Sequence, residues 1–398
     1  MGRYKSYLNF IRYALDPKGG MPEDVAKMDW EGLFQFADEQ GILGVMFDGR
    51  RKMFDGRREM EEGFLDDLTL EWGFVAQEIE RKNKEVNKAA VKLSKELKEK
   101  GFECCILKGQ GNNLLYPNVY SRTPGDIDVW VKKEDGRCKR DDVRGVIRFV
   151  KERNPEARAI YHHIDYGEYD GIEVEVHYRP SFMNNPIHNH RLQKWFEKMA
   201  PEQFAHIVEL PHTERLFTNT DRTDNTDFKV CVPTGEFNLV FQMSHVYNHL
   251  LHEGIGMRQI SDYYYLLKTN TDRTDETDVF NGTQRHRDTK DIKKLLRRLG
   301  LWKIAGAMMW VMSEVLGLEE KYLIAPKDER LGKVLLGEII RGGNFGQFDT
   351  DNILADNQLK KNWQRLKRDF RMMRYFPSEC LWEPVFRMWH FFWRIFYA

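Results

Sequence analysis

The chain has 398 residues, 41% hydrophobic and 13% aromatic, with ten Trp and 25 Phe; that is enough for a buried core in two or three packed units and excludes a wholly disordered polypeptide. Its 62 Lys and Arg balance 62 Asp and Glu, so no overall field draws in an anionic membrane, and nucleic acid is disfavoured as a partner. Five scattered cysteines (Cys104, Cys105, Cys138, Cys231 and Cys380) contain no C-x-x-C, so neither a zinc ribbon nor a disulfide framework is indicated, and a reducing, cytoplasmic setting is expected.

In chain order, MGRYKSYLNFIRYAL lacks the apolar stretch of a signal peptide. Its M-G-x-x-x-S start, through Gly2 and Ser6, fits a myristoylation pattern too loose to count. Residues 1–60 read as short helices, clearest in MDWEGLFQFADEQG. From Leu65 a long amphipathic helix is predicted, with Leu68, Trp72, Val75, Ile79, Val86, Ala90, Leu93 and Leu97 recurring at steps of three and four and Gly101 placed as its C-terminal cap.

The pattern then changes. FECCIL (102–107) and DIDVWV (126–131) read as buried strands, separated by the turn KGQG and the partial helix NNLLYP. A helix is predicted around Asp142–Glu152, followed by ARAIYHHIDY and IEVEVHY as a hairpin closed by Asp170-Gly171. From Ser181 the patterns are helical again, broken by two polar nonapeptides, NTDRTDNTD (219–227) and NTDRTDETD (270–278), that read as exposed insertions. Neither has the acidic spacing or the turn glycine of a calcium loop. The expected class is α+β: an N-terminal helical region over 1–100, an α/β core over 101–180, and a C-terminal helical domain over 181–398 with insertions near 218–228 and 269–290.

Alternation puts Asp126 and Asp128 on one face of their strand, with Cα atoms about 6.6 Å apart, and turns Ile127, Val129 and Val131 into a core. Bare carboxylates side by side repel, and a divalent cation relieves that; magnesium favours one or two carboxylates plus substrate phosphates. In IEVEVHY the polar face is Glu173, Glu175 and His177. If the two strands are neighbours, Glu175 supplies a third carboxylate for a two-metal site. Alone, a D-x-D is more often a solvated strand face.

The run LKGQGNNLLYPNVYSRTPGDIDVWV, then VEVHYRP and the later HVYNHL…RQISDYYYLL, resembles a family of uncharacterised bacterial nucleotidyltransferases in the DNA polymerase β-like superfamily. The matching positions are Lys108, Gly109, Tyr116, Pro117, Arg122, Asp126, Asp128, Glu175 and His177. The resemblance implies a small mixed sheet backed by helices, with Asp126, Asp128 and Glu175 as catalytic carboxylates holding Mg2+. Nucleotide contacts would come from Lys108, Gly109 and Arg122, and a substrate cleft from His177, His245, Arg258 and Asp262. It further implies an NTP co-substrate, with ATP expected, and transfer to an acceptor hydroxyl with loss of pyrophosphate. A small-molecule acceptor is preferred. The superfamily usually has Gly-Ser where this chain has Lys108-Gly109. Lys108 is therefore either a charge on the triphosphate or a solvated turn residue. Arg122 is either a phosphate ligand or a surface loop arginine, and Arg258 and Asp262 could simply pair at i,i+4.

Other function classes stay open. One is a nucleotide-binding protein that has kept the fold without transfer. Another is a metal hydrolase using His245, His249 and His252, which share a helical face but lack the H-E-x-x-H pattern. GGNFG (342–346) fails the phosphate-loop template and reads as a turn. In LWEPVFRMWHFFWRIFYA, Trp382, Phe386, Trp389, Trp393 and Phe396 share one face and Glu383, Arg387, His390 and Arg394 another. With Pro384 and two arginines inside, it is too interrupted to span a bilayer. It reads as a helix packed on the body, with an interfacial anchor as the alternative.

Overall fold

The structure, a computed structural model, describes residues 2–55, 67–133, 139–212, 228–277, 289–349 and 358–397. The chain forms two compact units, each discontinuous in sequence. One comprises Met1–Ile79, Ser121–Thr123 and Gln242–Leu381; the other comprises Glu80–Tyr120, Pro124–Phe241 and Trp382–Ala398.

The second unit holds the sheet. Its strands β1 (Phe102–Ile106), β2 (Ile127–Lys133), β3 (His163–Tyr169) and β4 (Ile172–His177) stand in the order β1-β2-β4-β3. β2 and β4 run parallel while the outer pairs are antiparallel. The fold is thus α+β with a small mixed sheet, as expected. Strand alternation decides what each face carries. Ile127, Val129, Val131, Ile164, Val174 and Val176 enter one core with Val86, Ala90, Leu93 and Leu97 of the long helix Asp67–Glu99 and with Val146, Ile147 and Val150 of helix Lys139–Arg153. The opposite face is left to Asp128, Glu175 and His177. Trp130, two residues beyond Asp128, lies against Phe204 and Phe237.

The β3–β4 turn uses Asp170 and Gly171, both left-handed at φ 52 and 79, which is the Asp-Gly hairpin geometry. A bulge interrupts the ladder further on. Asp165 faces Glu175 and Gly167 faces Val174, leaving Tyr166 extra. Counted from the turn alone, Ile164 would oppose His177; the bulge puts His163 there instead.

Several expectations need correction. β2 begins at Ile127, so Asp126 stands just before the strand rather than within it. Two three-residue strands, β5 (Ile207–Glu209) and β6 (Lys229–Cys231), pair antiparallel in a stretch expected to be helical. They are too short for alternation to show in the sequence. The first polar nonapeptide and Leu65 lie outside the described residues. The second nonapeptide is not a break: helix Met257–Thr277 runs through 270–277, which contain no Pro or Gly to stop it. The long helix does end as expected, with Gly101 at φ 77 donating its N–H to the Lys98 carbonyl at 3.0 Å.

The first unit is helical. Gln40 ties three of its segments together. Its Nε2 donates to the Ile339 carbonyl (3.0 Å), its Oε1 accepts from the Met257 N–H (2.9 Å), and its own carbonyl accepts from the Arg258 N–H (3.2 Å). Gly44 of helix Leu43–Asp55 lies so close to the segment Ser121–Thr123 that a Cβ would stand 2.3 Å from the Ser121 carbonyl oxygen. Among the described residues, no helix is long and apolar enough to cross a membrane.

Candidate active site

Parallel pairing of β2 with β4 sets Asp128 directly opposite Glu175. Residues opposite one another project from the same face, so the two carboxylates meet. His177, two residues beyond Glu175, lies between them: its Nε2 is 2.8 Å from Asp128 Oδ1 and 3.2 Å from Glu175 Oε2. Lys108 Nζ is 2.8 Å from the same Asp128 oxygen. His163, brought opposite His177 by the bulge, puts Nδ1 3.2 Å from Glu175 Oε2, and Asp165 is 3.7 Å from the other nitrogen of that ring.

Burial and charge pull against each other here. Burial alone would raise the Asp128 carboxyl, but the Lys108 ammonium and the His177 imidazole outweigh it and hold Asp128 well below the usual carboxylate range. Glu175 is likewise lowered against its burial, chiefly by the hydrogen bond from His177. Burial would lower His177, yet its hydrogen bonds to Asp128 and Glu175 win and raise it to about 9, so the imidazolium donates to both acids at neutral pH. Lys108 is raised in spite of burial by Asp128, Asp126 and Glu175. His163 goes the other way: burial lowers it to about 4, so it is neutral. Burial and the neighbouring Glu175 and Glu173 raise Asp165.

Local structure explains how Lys108 arrives. The Leu107 N–H donates to the Asp128 carbonyl at 2.9 Å, extending the β1–β2 ladder to the residue before the lysine. Gly109 then takes φ 51 and ψ −102, which favours glycine, and starts the short helix Gln110–Asn113. That turn is pinned to the long helix by buried amides. Gln110 Nε2 donates to Asn87 Oδ1 (2.6 Å), and Asn113 Nδ2 donates to Asn83 Oδ1 (2.7 Å).

The remaining sequence candidates fall elsewhere. Asp126 is half-buried and close enough to Lys108 to raise it. Among the described residues, the groups of three that could share an ion are Asp128–Glu175–His177, His163–Asp165–Glu175 and His162–His163–His177, and Asp126 is in none of them. Arg122, Arg258, Asp262 and His245 belong to the other unit. Arg122 is not a surface loop residue: it is buried, and its Nε and Nη2 grip both carboxylate oxygens of Asp262 at 2.7 and 2.9 Å. Arg258 instead lies 5.0 Å over the Phe345 ring and donates from Nη1 to the Thr123 carbonyl at 3.3 Å. His245 and His249 meet through their Nε2 atoms at 2.8 Å, and His249 Nδ1 is 2.9 Å from Glu253. Among the described residues, no three-ligand group includes His245, His249 or His252. The metal-hydrolase alternative gains no support from the described residues.

Sequence reasoning missed His162, His163 and Asp165. The two histidines were visible in the YHHIDY run, but only the bulge register brings His163 to the carboxylates. The signal was absent because bulges leave no fixed sequence mark.

The donor set fits a divalent cation. The two acid oxygens converge on one point, which His177 Nε2 bridges, while the buried His177 Nδ1 has no hydrogen-bond partner among the described residues. Hard carboxylate oxygens of this kind suit magnesium, with neighbouring imidazoles available to a softer metal. The family model for uncharacterised nucleotidyltransferases matches residues 26–317, spanning the whole sheet and both carboxylates. No curated protein and no solved structure matches the chain. With the family match extending over well more than half of its length, this chain belongs to the uncharacterised nucleotidyltransferase family.

Proposed function

We propose that this nucleotidyltransferase moves a nucleoside monophosphate from an NTP, with ATP the expected donor, to a hydroxyl on a small-molecule acceptor and releases pyrophosphate. The site would be a variant of the polymerase β-like arrangement. Asp128 and Glu175 would hold Mg2+, with Asp126, half-buried just before β2, as a further ligand to the metal–triphosphate. The observation that carries this reading is the register match of Asp128 and Glu175 on parallel strands. When bound, magnesium supplies charge neutralisation on the triphosphate and acidifies the attacking hydroxyl.

The chain's own residues divide the remaining work. Lys108, paired with Asp128 in this structure, would hold its ammonium against a phosphate of the bound triphosphate. Gly109 keeps the backbone bare beside it. Glu175 is the better candidate to accept the acceptor's proton, being 31% exposed where Asp128 is 3%. His177 orients both acids. The Arg122–Asp262 pair acts as a fastening within its own unit.

A second reading is nucleotide binding without transfer, and the Lys108–Asp128 ion pair favours it, since an ammonium already neutralises the acid that the metal needs. One experiment separates the two. Pyrophosphate release from radiolabelled ATP, screened over hydroxyl-bearing acceptors with Mg2+, supports transfer if Glu175→Gln abolishes it. Saturable MgATP binding with no release over every acceptor class leaves the binding reading in its place.

A further inference from the structure

Beside the carboxylate pair, and within the same compact unit, lie three imidazoles. His162, His163 and His177 each offer one ring nitrogen within 4.8 Å of the other two. Two of them are sequence neighbours, which strand alternation would send to opposite faces. The chain avoids this by bending at Tyr161 and His162 and beginning β3 only at His163. Three successive carbonyls hold the bend. Arg179 Nη1 donates to the Tyr161 carbonyl (2.6 Å), and the Tyr178 and Arg179 N–H groups donate to that of His162 (3.0 and 3.1 Å). The Tyr178 hydroxyl donates to the His163 carbonyl at 3.1 Å. The bulge then sets His177 opposite His163, and Phe182 lies against the His162 ring at 4.9 Å.

The two nitrogens of His177 are in different circumstances. Nε2 is held by Asp128 and Glu175, whereas Nδ1 is buried with no hydrogen-bond partner among the described residues. A buried polar atom left in that state is costly. A metal-bound histidine usually gives its second ring N–H to a carboxylate, which fixes the ring and makes the ligating nitrogen more basic. His177 shows that arrangement from the carboxylate side, with the other nitrogen still to be used. Imidazole nitrogens suit zinc and its transition-metal neighbours, whereas magnesium takes oxygen. Three histidines are a sufficient protein ligand set for a tetrahedral zinc with one open position.

We propose that His162, His163 and His177 bind one transition-metal ion of the zinc class, with His177 ligating through Nδ1 while its Nε2–H stays on Asp128 and Glu175. Binding releases the Nδ1 proton of His177 to solvent. The ion braces the ring that orients both acids, so a nitrogen-lined site adjoins the oxygen-lined one. The inference does not require nucleotide transfer at Asp128 and Glu175.

Zinc sulfate titrated calorimetrically into the chelator-stripped full chain, without nucleotide, tests it, and cobalt chloride added to a parallel sample reports the geometry. The expected result is one zinc per chain with Kd of about 1 μM or below, undisturbed by excess magnesium. Cobalt should show the intense visible bands of a tetrahedral ion. His162→Gln and His163→Gln should each weaken zinc about a hundredfold or more, and Asp128→Asn about 10–100-fold by freeing the His177 ring. His249→Gln, in the other close histidine pair, should bind zinc as the unaltered chain does. Circular dichroism checks that each variant is folded, and the cobalt spectrum of the unaltered chain needs no variant. Absence of such zinc binding, or a weakly coloured octahedral cobalt, overturns the proposal. So does zinc binding that survives both H162Q and H163Q, or an unchanged affinity in D128N. Loss in H249Q also overturns it and assigns the ion to the His245–His249 pair.

Discussion

Asp128 and Glu175 are register partners on adjacent parallel strands, and one nitrogen of His177 is within hydrogen-bonding distance of both. A parallel pair keeps facing residues on one side of the sheet, so two acids far apart in sequence become a single anionic spot. In this structure Lys108 and His177 neutralise it. A divalent cation would compete with both.

Glu175→Gln should lower kcat/KM by roughly three orders of magnitude with little change in melting temperature, because this side chain is the more exposed acid and the substitution keeps its shape. Steady-state pyrophosphate release with parallel thermal melts checks the split. Near-normal activity in the variant would remove Glu175 from the site.

Lys108→Met should raise KM for the triphosphate about tenfold or more, and Lys108→Arg should restore part of the loss, if the ammonium moves from Asp128 to a phosphate. Initial rates over a range of ATP concentrations report it. An unchanged KM would reduce Lys108 to a counter-ion for Asp128.

Stability without metal should depend on pH through His177. Its folded-state value is raised to about 9 from an ordinary 6.5. Its contribution is therefore complete below about 6.5 and lost as pH rises through about 9, amounting to a few kcal/mol at most. His163, lowered to about 4, works in a separate window, destabilising the fold as pH falls below its ordinary value. Chelator-treated protein should thus melt earlier at pH 9 than at pH 6.5, and His177→Gln should flatten that slope. A slope that survives the substitution belongs to other groups.

Breaking the Arg122–Asp262 pair should cost about 3–5 kcal/mol, because either substitution takes two charge-assisted hydrogen bonds away from a buried ionic group. Urea unfolding of Arg122→Met and Asp262→Asn, with the double variant closing the cycle, measures the coupling. Additive losses would mean that the pair is not a unit.

Much of the fold was legible because it is set by local rules. The long helix follows from its apolar spacing, its end from Gly101, and the β3–β4 hairpin from Asp170-Gly171. The inward turn of Ile127, Val129 and Val131 follows from alternation alone. Long-range pairings were harder to read. Nothing within DIDVWV says that β4 lies beside it in parallel, so the nearness of Glu175 had to be assumed. The bulge at Tyr166 chose His163 over Ile164 as the neighbour of His177. Arg122 reads from sequence as either a phosphate ligand or a surface loop arginine, and neither reading names its partner, because Asp262 is 140 positions away. Asp126 was drawn into β2 by one residue, the usual margin at a strand end, and that single step separates it from the ladder.

The most direct test is anomalous diffraction from crystals soaked with Mn2+ and a non-hydrolysable ATP analogue. A manganese peak within coordination distance of the Asp128 and Glu175 carboxylates, with the triphosphate against it and Lys108 moved onto a phosphate, is the expected result. Manganese bound elsewhere, or a nucleotide seated away from these two acids while His177 still bridges them, would contradict it.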